Sequence, residues 1–206
     1  MPAFDINDPE MDPMCAQGKL TWGSTAYKGH FDQTGVFTGS VSIRERANCV
    51  STMDHSWGPR AERGTPSISW LHAHFSKDLS IHCIFGFDPA RDNDRDLWLA
   101  HDYVLENGKV FGLKAGTGQT VRIQERYPDT IVLQLIDSAD RSWVLNGQAL
   151  TTLPRQAWSN MVVFNSLCQW DCNGVKGYGE VQDCFELPNL TVLNSAAPTR
   201  RLSHPL

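Results

Sequence analysis

The sequence is poor in the features that mark membrane, nucleic-acid and disulfide-scaffold proteins. No apolar stretch approaches the roughly 18 residues of a helical membrane span. Residues 1–8, Met-Pro-Ala-Phe-Asp-Ile-Asn-Asp, carry neither the basic n-region nor the apolar h-region of a secretory leader. A cytoplasmic protein without a membrane span is expected. No run of basic residues stands out, and 18 Lys and Arg against 23 Asp and Glu give a net charge of -5. An electrostatic grip on nucleic acid or anionic lipid therefore has no basis. The six cysteines are too sparse in 206 residues for a disulfide framework, and no two stand as Cys-x-x-Cys. Cys168 and Cys172 fall in or beside a strand-like run, where even spacing merely puts both on one face, so reduced structural thiols are expected. Gly-x-Gly-x-x-Gly, the P-loop and Gly-x-Ser-x-Gly are also missing, which removes support for nucleotide cofactors and for a serine-hydrolase elbow.

What the chain does contain is material for one globular domain, with 41% hydrophobic, 20% charged and 10% aromatic residues. Its 16 Gly and 11 Pro fall mostly between short apolar stretches, with no sustained helical period away from the ends. Strands are predicted at Thr25–Phe31, Gly35–Arg44, Ile68–Phe75, Leu79–Phe87, Leu97–Glu106, Lys109–Lys114, Thr120–Arg126, Thr130–Asp137, Ser142–Leu150, Ser159–Asp171 and Val175–Glu186. Asn107-Gly108, Asn146-Gly147 and Asn173-Gly174 have the chemistry of tight hairpin turns, and Tyr127–Thr130 and Asp137–Arg141 supply further turns. About ten antiparallel strands favour an all-β barrel, because closure removes sheet edges; a sandwich is the runner-up. Residues 1–20 are expected as an extended arm, 21–190 as the barrel domain and 191–206 as a tail. The charged segment Asp88–Asp96 reads as a solvated loop, since the alternating ligands and the Gly of a calcium loop are missing.

The densest cluster of reactive side chains is Met53–Arg60, where Asp54, His55, Trp57 and Arg60 fall within eight residues. An imidazole beside an indole wall suits an acid/base centre in an apolar pocket, and a structural corner capped by Asp54 would use the same residues. Trp70, His72 and His74 share a strand face, and a short turn at Ser76–Asp78 brings His82 alongside. Were His74 to pair with His82, three imidazoles would cluster; a zinc or iron site there would need a further donor such as His101 or Asp102. Tyr178, Glu180 and Gln182 alternate opposite Asn165, Leu167 and Gln169 if Asn173-Gly174 forms a two-residue turn.

The run Asp54-His55-Ser56-Trp57-Gly58-Pro59-Arg60, preceded by His30–Gly39 and followed by Trp70 in a strand and by Gly177-Tyr178-Gly179, resembles the lipocalin-like superfamily. That superfamily contains carotenoid 1,2-hydratases, AttH-like proteins and fungal pericyclase relatives. The resemblance extends in particular to bacterial proteins of unknown function that carry the Asp-His-Ser-Trp-Gly signature, and it covers about residues 25–187. It implies a lipocalin-like β-barrel in which His55 and Trp57 line a pocket for an apolar substrate. The acid of the hydratases does not carry over, because Ser69 stands where an Asp is expected before Trp70. Members usually contain two such barrels, whereas this chain has residues for one, so a homodimer is expected.

Together these readings lead to a cofactor-independent lyase or isomerase of hydratase, dehydratase or cyclase type. Proton transfer would act on a hydrophobic terpenoid-, steroid- or polyketide-like molecule. Expected catalytic residues are His55, Asp54 and His72; expected substrate contacts are Trp57, Arg60, Trp70, His74 and Tyr178; no metal is expected. A non-catalytic carrier of a hydrophobic ligand and a metalloenzyme using His72, His74 and His82 are the rival readings.

Overall fold

The computed structural model describes residues 4–17, 29–37, 49–57, 67–89, 95–124 and 126–190. Nine strands, β4 (Ser67–His74), β5 (Leu79–Phe87), β6 (Arg95–His101), β7 (Tyr103–Glu106), β8 (Lys109–Ile123), β9 (Tyr127–Asp137), β10 (Ser142–Trp158), β11 (Met161–Cys172) and β12 (Val175–Glu186), form one antiparallel sheet in the order β4-β12-β11-β10-β9-β8-β6-β5-β7. A further β4–β5 pairing closes the hydrogen bonds into a ring. The protein is thus nearly all-β and barrel-like, and its closure sets aside the sandwich. Strands β6 and β7 both pair with β5 and with β8, so they occupy one place in the ring, broken at Asp102. No helix among the described residues is long and apolar enough to cross a membrane.

Local chemistry explains most of the turns. Asn107-Gly108 and Asn173-Gly174 adopt positive φ, at 50° and 76° and at 52° and 86°, as two-residue hairpin turns between twisted strands require. Asp137 closes the β9–β10 turn by accepting the Ala139 and Arg141 N–H groups at 2.9 and 3.0 Å. Two expectations fail. Residues 127–130 begin β9 rather than a turn, which sits instead around Gln124 at φ 51°. Asn146-Gly147 lies inside β10, paired on both sides. A side chain at Gly147 would place its Cβ 2.5 Å from the Trp170 ring, so the glycine makes room for packing rather than for a turn.

Alternation fills the inside of the ring. Leu71 and Ala73 from β4, Cys83 and Phe85 from β5, and Trp170 from β11 are fully buried in one apolar cluster. Within the same interior, Arg122 from β8 reaches Asp183 on β12, a strand it does not neighbour, through Nε at 3.0 Å and an Nη at 2.7 Å. The guanidinium also lies 4.9 Å over the Phe87 ring. Cys83, Cys168 and Cys172 are free and buried, and burial, followed by the Asp183 and Glu180 charges, pushes the Cys168 thiol up to about 12. These are inert packing groups.

A second layer covers part of the outside. Strands β1 (Phe4–Asp5), β2 (Gly29–Phe37) and β3 (Cys49–Trp57) form an antiparallel sheet, and the short helix α1 (Pro13–Ala16) follows β1. Residues 4–17, expected as a loose arm, are docked: Phe4 and Ile6 pack with Tyr103 and Leu105 in a separate buried cluster. Asp12 caps α1 through the Met14 N–H at 2.9 Å, and its other oxygen meets His101 Nδ1 at 2.7 Å. Strand β2 runs unbroken through Gly29–Phe37, where two separate strands were expected; the remainder of Gly35–Arg44 lies outside the described residues.

Candidate functional site

Trp70, His72 and His74 of β4 and Ser80 and His82 of β5 lie on the face opposite the ring interior. A three-residue turn at Ser76–Asp78 lets Phe75 meet Leu79, with Phe75 N–H donating to Leu79 O at 3.0 Å. That turn pairs His72 with His82 and His74 with Ser80, one step of the face away from a His74–His82 pairing. The imidazoles still gather. The His72 and His74 ring centres are 5.0 Å apart, and those of His72 and His82 6.2 Å. Trp70 stands edge-on to both His72 and His82, at 5.1 and 4.7 Å.

The second layer completes the site from above. Asp32 from β2 and Asp102 at the β6–β7 break are both fully buried, and both reach His82 Nδ1, at 3.8 Å for Asp32 and 2.8 Å for Asp102. The closer contact is an ion pair bent away from a straight hydrogen bond. Thr34 and Tyr103 share a hydroxyl–hydroxyl hydrogen bond at 2.9 Å beside the His82 ring, which lies 5.8 Å from the tyrosine. His74 is held at both nitrogens, by Ser80 Oγ at 2.9 Å and by Thr52 Oγ1 at 3.4 Å. By contrast, His72 Nδ1, Trp70 Nε1 and His82 Nε2 are buried atoms with no hydrogen-bond partner among the described residues.

Charge follows this geometry. Burial pulls His82 toward neutrality, but the Asp102 and Asp32 carboxylates, with Asp54 beyond them, outweigh it and raise its pKa to about 9. For His72, burial and then the positive His82 lower the pKa to about 3; the same two causes bring His74 to about 4. Burial drives the Tyr103 hydroxyl well up, so it stays protonated. The site therefore sets neutral imidazoles against one cationic centre, a combination able to accept a proton and to stabilise negative charge side by side. Asp32, His82 and Asp102 each offer a metal-ligating atom, and those atoms lie within 4.8 Å of one another.

Of the residues singled out in the sequence, Trp70, His72 and His74 meet here. Tyr178 stands opposite His74 in the β4–β12 ladder, is 54% exposed and accepts a hydrogen bond from Gln169 at 3.2 Å. Asp54 is exposed and opposite Asp32 on β3. His55 and Trp57 occupy β3 positions opposite Phe31 and Gly29, but their side chains lie outside the described part, as does Arg60 altogether. Sequence reasoning missed Asp32, Thr34, Thr52 and Tyr103. The signal for the first two was His30, Asp32 and Thr34 alternating on one face of a strand that was expected to break at Phe31.

A family model described as a domain of unknown function matches residues 7–186. That match takes in β2 and β3 of the second layer as well as the ring. No curated protein and no solved structure matches the chain. The chain belongs to the family of the domain of unknown function DUF7064.

Proposed function

We propose that the face of β4 and β5 beneath β2 and β3 is the site of a lyase or isomerase. It would act by proton transfer, without nucleotide or redox cofactor, on a hydrophobic terpenoid-, steroid- or polyketide-like molecule. The observation that carries this reading is the convergence of three buried polar atoms, on Trp70, His72 and His82, that have no partner among the described residues, against an aromatic wall. Buried polar groups without partners cost stability, and they persist where a ligand supplies the missing partner. His72 takes the proton-transfer role through Nδ1, and the Trp70 π face steadies positive charge developing on an alkene. His74, fixed at both nitrogens, shapes the floor. The lipocalin-like resemblance adds His55 and Trp57, at β3 positions, as pocket residues.

The substrate on this reading lies between the two layers rather than in the ring interior, which side chains fill. The reading includes a homodimer, supported by Val121, Val132 and Val144 exposed on the outer face of β8–β10. Sedimentation equilibrium checks that part. For the chemistry, the protein is incubated in deuterium oxide with a panel of polyenes, enones and tertiary allylic alcohols, and product mass is followed. Proton-transfer chemistry incorporates deuterium in at least one compound, and His72→Ala lowers the rate by about 10² to 10⁴. Incorporation that His72→Ala leaves unchanged, or none across the panel, overturns the reading.

A further inference from the structure

We propose that Asp32, His82 and Asp102 form a binding site for one divalent transition-metal cation of the zinc or manganese type. This goes beyond the proton-transfer reading and does not depend on it. The three ligands come from three places in the fold: β2 of the covering sheet, β5 of the ring, and the β6–β7 break. All three are buried, and their donor atoms lie within 4.8 Å of one another. A cation bound at about 2.0 to 2.2 Å from nitrogen and oxygen sets its ligands roughly 3.0 to 3.5 Å apart in tetrahedral or octahedral geometry. The distances from His82 Nδ1, 2.8 Å to Asp102 and 3.8 Å to Asp32, bracket that range. Only small side-chain adjustments separate the arrangement from a coordinated one.

An independent observation points to the same place. Asp102 is fully buried, its close polar neighbour is His82 Nδ1 at 2.8 Å, and among the described residues neither carboxylate oxygen receives a well-aligned hydrogen bond. Its backbone is also held at φ 119°, a conformation in which a residue with a side chain is strained. Two other buried carboxylates are supplied with donors: Asp137 accepts from Trp143 and Arg141, and Asp12 from the Met14 N–H. A strained strand break that aims a buried carboxylate at an imidazole without a well-aligned hydrogen bond between them suits a metal ligand. The chemistry of the set selects the ion. One imidazole nitrogen and two carboxylate oxygens suit zinc, manganese or ferrous iron, and they fall short of the six to eight oxygens that calcium takes. With three protein ligands, at least one coordination position remains for water or for a substrate oxygen. Bound through Nδ1, the cation takes the place of the ring proton of His82 and leaves Nε2 directed elsewhere.

The test uses the full chain purified without a histidine tag, stripped with a chelator and exchanged into metal-free buffer. Zinc, manganese and magnesium chlorides are each titrated calorimetrically, and cobalt is added separately to read its visible absorption. The proposal expects one equivalent of zinc or manganese bound far more tightly than magnesium. It also expects cobalt bands of a nitrogen–oxygen ligand field and a rise in Tm on zinc addition. Asp102→Asn lowers the affinity 10-fold or more, whereas Lys77→Ala, on the exposed β4–β5 turn, leaves it unchanged. Circular dichroism shows whether Asp102→Asn is folded; if it is not, the wild-type stoichiometry and cobalt spectrum decide alone. Absence of stoichiometric binding in the wild type, or undiminished affinity in folded Asp102→Asn, overturns the proposal.

Discussion

The inside of the ring and the layer outside it are built on opposite terms. Inside, Leu71, Phe85, Phe185 and Trp170 bury their apolar surface, and the charged groups that intrude, Arg122 and Asp183, are paired with each other, although Trp170 Nε1 and Asp183 Oδ1 have no hydrogen-bond partner among the described residues. Outside, the β4–β5 face sets one buried and two half-buried imidazoles, a half-buried indole and two buried carboxylates under a small sheet, and Trp70 Nε1, His72 Nδ1 and His82 Nε2 have no hydrogen-bond partner among the described residues. The first arrangement is dominated by apolar packing. The second accepts a cost, and natural proteins keep such costs mostly where a ligand or a reaction removes them. The difference teaches where to look: stability should follow substitutions in the ring, and function those in the layer.

The contrast breaks most visibly at the ring core. Trp170→Ala should cost about 3 to 5 kcal/mol, since a large fully buried side chain is lost and Gly147 opposite it cannot fill the gap. Urea unfolding measures it, and a loss under about 1 kcal/mol would mean that the interior is not the stabilising core. Arg122→Ala should cost a similar amount, about 3 to 5 kcal/mol, because it strands Asp183 in an apolar setting. The double change Arg122→Met with Asp183→Leu should recover most of that loss, and a double-mutant cycle by chemical denaturation reads the coupling.

A smaller effect sharpens the comparison at the β9–β10 turn. Burial raises the Asp137 carboxyl, but hydrogen bonds from Trp143, Arg141 and Ala139 together hold its pKa below the ordinary 3.8. A carboxylate depressed in the folded state stabilises the protein above its unfolded pKa, and that stabilisation fades as pH falls toward the folded value. Asp137→Asn should therefore cost about 1 to 2 kcal/mol at neutral pH and progressively less below pH 3.8, as thermal melts across pH 2.5 to 7 would show. A cost independent of pH would contradict the assignment. Smallest of all, Tyr178→Ala on the exposed outer face should change stability by less than about 0.5 kcal/mol. A larger loss would move that face into the structural category.

Much of the ring was legible in the sequence, because alternation and Asn-Gly turns act locally. Asn173-Gly174 fixed the β11–β12 hairpin, and with it the pairing of Gln169 with Tyr178 and of Asn165 with Gln182. The same dipeptide misled at Asn146-Gly147, where the reason for glycine is the Trp170 ring, contributed by a residue far along the chain. Period-two patterning shows that Trp70, His72 and His74 share a face, but it does not say whether that face looks inward. Tertiary closure decided that it looks outward, toward β2. Asp102 was visible only as a neighbour of His101, since no glycine or proline announces the break at φ 119°. Asp32 was hidden by the division of one strand into two.

The central claim is that the layer between the two sheets serves a ligand and not the stability of the fold. Urea unfolding of His72→Phe tests it without a substrate, because the change removes a buried ring nitrogen that has no partner among the described residues and keeps an aromatic of similar size against Trp70. The account predicts an unfolding free energy equal to that of the wild type or higher by up to about 1 kcal/mol. A loss of more than about 2 kcal/mol in the folded variant would show that the imidazole layer is a structural clasp, and would contradict the account.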